Sequence, residues 1–148
     1  MAITHPTTQS SPPATRMHLS LTRLNLMRAG YLFMGLGLVI VKWPHLPQAS
    51  DLPLYEGVEL CLLTAMSLLA FLGLRYPVKL LPVLLFESAW KLLWLGLVAA
   101  PKAVSGNLDS AFSQIATNCS LVVVILAVIP WRYAWQQYVR ADGDPWRR

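Results

Sequence analysis

Between Leu80 and Ala100 the chain reads LLPVLLFESAWKLLWLGLVAA, an apolar run with Glu87 and Lys91 near its middle. The hydrocarbon core of a bilayer is about 30 Å thick and a helix rises about 1.5 Å per residue, so roughly 20 apolar residues make one crossing. Four segments meet that length, at about Leu24 to Trp43, Leu54 to Leu74, Val78 to Ala100 and Ser110 to Trp131. Only 13% of the 148 residues are charged and 55% are hydrophobic, whereas a soluble domain carries about a quarter charged residues. A soluble bundle would also need a polar face on each helix, and these segments have none. The expected fold is therefore all-α, an integral membrane antiparallel four-helix bundle. A cleaved signal peptide fits poorly, because the charged leader before Ala29 is long and Gln48 is a poor residue three positions before a cut after Ser50.

The basic residues set an expected orientation. Arg16, Arg23, Arg28, Arg75, Lys79, Arg132, Arg140, Arg147 and Arg148 flank the spans on one side, against Lys42 and Lys102 on the other. The positive-inside rule then places both termini and the short Arg75–Lys79 turn in the cytoplasm. Residues 1–19, rich in Thr, Ser and Pro, are expected to form a disordered cytoplasmic tail, residues 20–139 the bundle, and residues 140–148 a cytoplasmic C-terminal tail. After Pro130 a helix to about Arg140 would lie along the inner surface, while Pro44 and Pro47 close the first span and begin the longest external loop. The net charge of +5 is explained by these flanks and their attraction to lipid headgroups, so no nucleic-acid partner is implied.

The polar residues inside the spans carry the functional information. Glu87 and Lys91 are four apart and share a helix face with Trp90 and Trp94. Eleven Leu, Val and Phe residues between Leu80 and Val98 each favour insertion by about 0.3–0.6 kcal/mol, and each mid-span charge opposes it by about 2.5–3.5 kcal/mol. The sums nearly cancel, so Glu87 must be neutralised by Lys91, a partner helix or a proton, with that face turned inward. One reading is an ion pair that sets helix register; the other is a cavity that binds a ligand or relays a proton. Ser110, Ser113, Gln114, Thr117 and Asn118 repeat at intervals of three and four on the fourth span, as helix-packing glue or a conduit, with Asn118 at the depth of Lys91 and able to bond it. Glu56 and Glu59 open the second span as headgroup-level acids or as an acidic mouth. Arg28 either snorkels to the inner surface or reaches towards Glu87. Gly30, Gly35 and Gly37 invite close packing on the first helix.

Several chemistries are absent from the sequence. It has no phosphate-cradling glycine loop, no H-E-x-x-H, no C-x-x-C and no Ser, His and acid set with a common location. Cys61 and Cys119 fall inside spans and imply neither a disulfide nor a metal site, and His5, His18 and His45 lie outside them. No cofactor is specified.

Gly73-Leu-Arg-Tyr-Pro77, running through LLPVLLFESAWK to Trp94, together with Val128-Ile-Pro-Trp131-Arg-Tyr, Tyr138-Val-Arg and Gly143-Asp-Pro-Trp-Arg, resembles a family of small four-span bacterial membrane proteins. The resemblance covers roughly residues 24 to 148 and implies an inner-membrane location and four spans; it carries no activity or catalytic residues. In architecture alone the chain is similar to DoxX-like proteins, four-helix membrane bundles associated with redox and quinone-linked systems, and fold does not settle function. The expected role is that of a non-enzymatic accessory or assembly protein binding a membrane protein, a lipid or a second copy of itself. The alternatives are a small-molecule, ion or proton site at Glu87 and Lys91, bordered by Trp90, Trp94 and Asn118, and a lipid-modifying or quinone-linked enzyme with Glu87 as general acid or base.

Overall fold

The computed structural model describes residues 19–106 and 109–141, so the expectations for the two tails lie outside the described residues, apart from Leu19, Arg140 and Ala141. All regular structure among the described residues is helical. The first helix, α1 (Leu21–Lys42), starts at Ser20, whose hydroxyl accepts the Arg23 amide at 3.3 Å. It stops before Pro44, which has no amide hydrogen to continue the ladder. The chain then tightens into a 3-10 run, Trp43–Asp51, so the segment expected as a loop is helical instead. Prolines at 44 and 47 fit this because their fixed φ is already helical. Trp43 Nε1 donates to Ser67 Oγ at 3.1 Å, tying the start of the run to the second helix.

That helix, α2 (Leu54–Arg75), ends just before Pro77. Arg28 Nε donates to the Leu74 carbonyl at 3.1 Å and its Nη1 to Asn25 Oδ1 at 2.9 Å, which sets a cation at the negative end of α2. The third helix, α3 (Leu81–Trp94), opens with Pro82 in its first turn, three residues later than the sequence suggests, because Tyr76–Leu80 is used to reverse the chain. It widens into a π turn, Leu95–Ala99, before α4 (Ala100–Val104). Pro101 cannot donate to Leu97, and the Ala100 amide reaches back to the Leu95 carbonyl instead.

The fourth apolar segment is interrupted twice. Its first part, α5 (Ser110–Ser120), gives way at Leu121 to α6 (Val122–Val128). Ser120 Oγ donates to the Ala116 carbonyl at 2.8 Å, a local bond that competes with the helix ladder just before the break. Ile129, ahead of Pro130, is extended. The chain then turns by 80° into α7 (Trp131–Trp135) and a π turn, Gln136–Arg140.

The core is concentrated at the Arg75 end. Met27, Tyr31 and Met34 recur at helical spacing on α1 and meet Met66 and Ala70 of α2, Leu81 and Leu84 of α3, and Ile125 and Ile129 beyond them. Two glycines permit this closeness. A methyl group at Gly73 would collide with the Tyr31 ring, and one at Gly30 would stand 2.5 Å from Val128 Cγ2. Tyr31 Oη donates to the Pro77 carbonyl at 2.9 Å, fastening α1 to the turn between α2 and α3.

The outward surface is apolar. In the hydrophobic windows of the first three helical stretches only 28%, 33% and 22% of residues are buried, and Leu36, Ile40, Leu62, Leu68, Leu93 and Leu97 point outward. A surface of that kind suits contact with lipid or with another protein. Three helices are long and apolar enough to cross a membrane, and a fourth if the bent pair Phe112–Val128 and Trp131–Arg140 forms one span.

Candidate functional site

Packing is looser towards the Lys42 end, where few residues of α1 and α2 are buried, and α5 lies against α3. The helices leave a cavity of about 170 Å³ between them. Its floor is Glu87, with Trp90 and Lys91 beside it on α3; Met34, Gly37 and Val41 line it from α1, Leu63 from α2, and Ile115, Asn118 and Cys119 from α5.

Glu87 is wholly buried. Because a helix brings positions three and four residues apart onto one face, its carboxylate meets two groups from its own helix. Trp90 Nε1 donates to Oε2 at 2.7 Å, and Lys91 Nζ stands 2.8 Å from Oε1. The second contact is an ion pair without hydrogen-bond alignment, so Oε1 has charge compensation but no directed donor. Lys91 also sits 5.6 Å from the centre of the Trp90 ring, in cation–π range. The cluster is pre-formed and local: one turn of α3 supplies an acid, a base and an indole.

At the other end of the cavity Lys42 Nζ binds Glu59 Oε1 at 2.7 Å. Glu59 is therefore one half of an ion pair and not part of a free acidic mouth; its neighbour Glu56 is exposed. Lys42, which the sequence suggests only as a topology signal, is the residue that sequence reasoning misses. The available signal was its place in the last turn of one helix and that of Glu59 in the second turn of the next, across a short connection.

The remaining sequence candidates fall outside this cluster. Trp94 packs on Phe112 with ring centroids 6.0 Å apart, linking α3 to α5. Asn118 lies on the cavity wall but makes no hydrogen bond to Lys91. Gln114 and Thr117 are exposed, and the Thr117 hydroxyl is satisfied by the Ser113 carbonyl at 2.8 Å. Arg28 is held by Leu74 and Asn25 at the Arg75 end and forms no ion pair with Glu87. Among the described residues no cluster of three His, Cys, Asp or Glu side chains could hold a metal. Cys61 is exposed and Cys119 buried, both as free thiols.

The chain matches no known protein family, no curated protein and no solved structure. Chemistry at the site must therefore be argued from its own groups. A cavity of about 150 Å³ accommodates benzene, so this one has room for a small ring or for the head of a larger molecule. Its two ion pairs make the walls polar but neutral in sum.

Proposed function

We propose that this protein is a four-span antiparallel bundle of the bacterial inner membrane, with both termini in the cytoplasm, that binds a small amphipathic molecule in the cavity above Glu87. The observation that carries this reading is the cavity of about 170 Å³ itself, bordered by the Glu87–Lys91 ion pair, Trp90 and Asn118. Glu87 is already paired, so the polar groups that a bound head would meet are the Lys91 ammonium and the Asn118 amide. An ion pair serving only helix register would need no such space. The protein is a binder in this reading, because the polar groups around Glu87 suit holding a head group.

The accessory reading has one observation of its own. Ser110, Ser113, Gln114 and Thr117 are exposed on α5, and amide and hydroxyl groups on the outside of a span suit contact with another helix, from a partner protein or a second copy. The two roles are compatible, because the row and the cavity are different parts of the molecule.

The deciding experiment is mass spectrometry of everything that co-purifies with gently solubilised wild type, Glu87→Gln and Gly37→Leu, at matched abundance. A Cβ at Gly37 meets open space, so the leucine would occupy the cavity and leave the ion pair untouched. A small molecule or lipid retained by wild type and lost from both variants supports the binding role. A protein partner retained by all three, with no such molecule, would replace it with the accessory role.

A further inference from the structure

The cavity has two unlike boundaries. At one end the Lys42–Glu59 pair closes it with charge. On the flank between α1 and α5 the lining residues Phe33, Val41, Ile115 and Leu121 are each at least 40% exposed, so the same side chains form both the cavity wall and the outer surface. This flank is thinly closed, because α1 packs chiefly on α2 and α6 and α5 on α3 and the π turn after it, on either side of the break at Leu121. Gly37 leaves a further gap in it, with no atom within 4 Å of where its Cβ would be.

From this geometry, and resting on the binding role proposed above, we infer that the ligand is an uncharged lipid that slips sideways from the bilayer between α1 and α5, its head bearing a hydroxyl and a carbonyl group. The wall exposed to hydrocarbon is apolar, which suits a chain; the floor is polar, which suits a head. Asn118 on the wall offers an amide oxygen, to which a hydroxyl donates. Lys91, which lines the cavity and whose side chain is 13% exposed, offers ammonium hydrogens to a carbonyl oxygen. A charged head is disfavoured because each ion pair already cancels itself and nothing is left to balance an extra charge. The volume sets the size of the head: about 170 Å³ holds the glycerol ester of a monoacylglycerol and leaves its chain outside, given that about 150 Å³ takes the six carbons of benzene.

The test uses the full chain in bilayer nanodiscs and 1-monooleoylglycerol carrying a diazirine near its ester, with adducts mapped by peptide mass spectrometry. Labelling is expected on the Gly37–Lys42 and Ile115–Leu121 stretches, falling at least fivefold with excess plain monooleoylglycerol and not with phosphatidylglycerol. Gly37→Phe should abolish it. Gly96→Phe, at a glycine that also faces open space but lies outside the cavity, should not. Uniform labelling of all outward helix faces, or equal competition by phosphatidylglycerol, would overturn the inference. If water-soluble monobutyrin competes and monooleoylglycerol does not, the sideways route is wrong while the cavity remains a binding site. If neither competes, the assigned head is wrong, and the co-purification experiment alone decides whether the cavity binds anything.

Discussion

Replacing Gly73 by alanine tests the close approach of α1 and α2. The added Cβ would stand 2.6 Å from Tyr31 Cε1 and 2.7 Å from its Cγ, whereas carbons in contact settle at about 3.5–4.0 Å. The ring cannot step aside freely, since Tyr31 is fully buried and its hydroxyl is bonded to Pro77. If α1 and α2 move apart, the cost is that of overpacking, about 1–3 kcal/mol. If the ring swings, the Pro77 carbonyl loses its donor, another 1–3 kcal/mol or so. Alanine recovers about 1 kcal/mol of helix propensity, and because a ring this confined must both push the helices apart and leave its hydrogen bond, the net destabilisation is roughly 1–5 kcal/mol. The assay is reversible unfolding in mixed micelles with rising dodecyl sulfate, followed by circular dichroism. Tyr31→Phe supplies the cross-check, because removing the hydroxyl frees the ring to yield. The double variant should therefore lose less than the two single losses combined. A Gly73→Ala protein as stable as wild type, or strict additivity with Tyr31→Phe, would refute the close-approach argument.

Three further outcomes are expected. Lys91→Met, which leaves the Glu87 carboxylate buried beside an apolar chain, should destabilise by about 3–5 kcal/mol in the same assay, whereas Glu87→Met combined with Lys91→Met should return to within about 1 kcal/mol of wild type or exceed it. Gly30→Ala should be destabilising through contact with Val128 Cγ2, and Val128→Ala in the same chain should relieve most of that loss. Lys42→Glu should weaken the protein by placing two carboxylates together, and the swap Lys42→Glu with Glu59→Lys should recover it; the pair is partly exposed, so neither unfolding midpoint should move by more than about 1 kcal/mol.

The features legible in the sequence were those set by one helix at a time. Apolar length marks the helices, and spacing of three and four brings Trp90 and Lys91 to Glu87 whatever the neighbouring helices do. What could not be read depends on how helices approach one another. The Lys42–Glu59 pair, the fit of Tyr31 against Gly73 and the gap at Gly37 each require the position of a second or third helix. The polar row on α5 illustrates the difference. Its periodicity was plain, but its direction was not, because Thr117 and Ser120 satisfy their hydroxyls on carbonyls of their own helix and so have no need to turn inward. The Trp43–Asp51 run escaped notice for another reason: proline ends an α-helix but is tolerated at the start of a tighter turn, and it was read here only as a stop.

Tyr31, wedged against Gly73 and bonded to Pro77, makes the bundle mechanically lopsided. It pins α1 to α2, and the close approach of Gly30 to Val128 pins α1 to α6, so this end is the pivot of a clothes-peg whose jaws are the far halves of α1 and α5. Whatever enters or leaves between those jaws can alter their spread while the pivot stays still, so spin labels straddling Val41 and Ile115 would register occupancy, and a matched pair near Arg28 and Arg75 would supply the motionless reference.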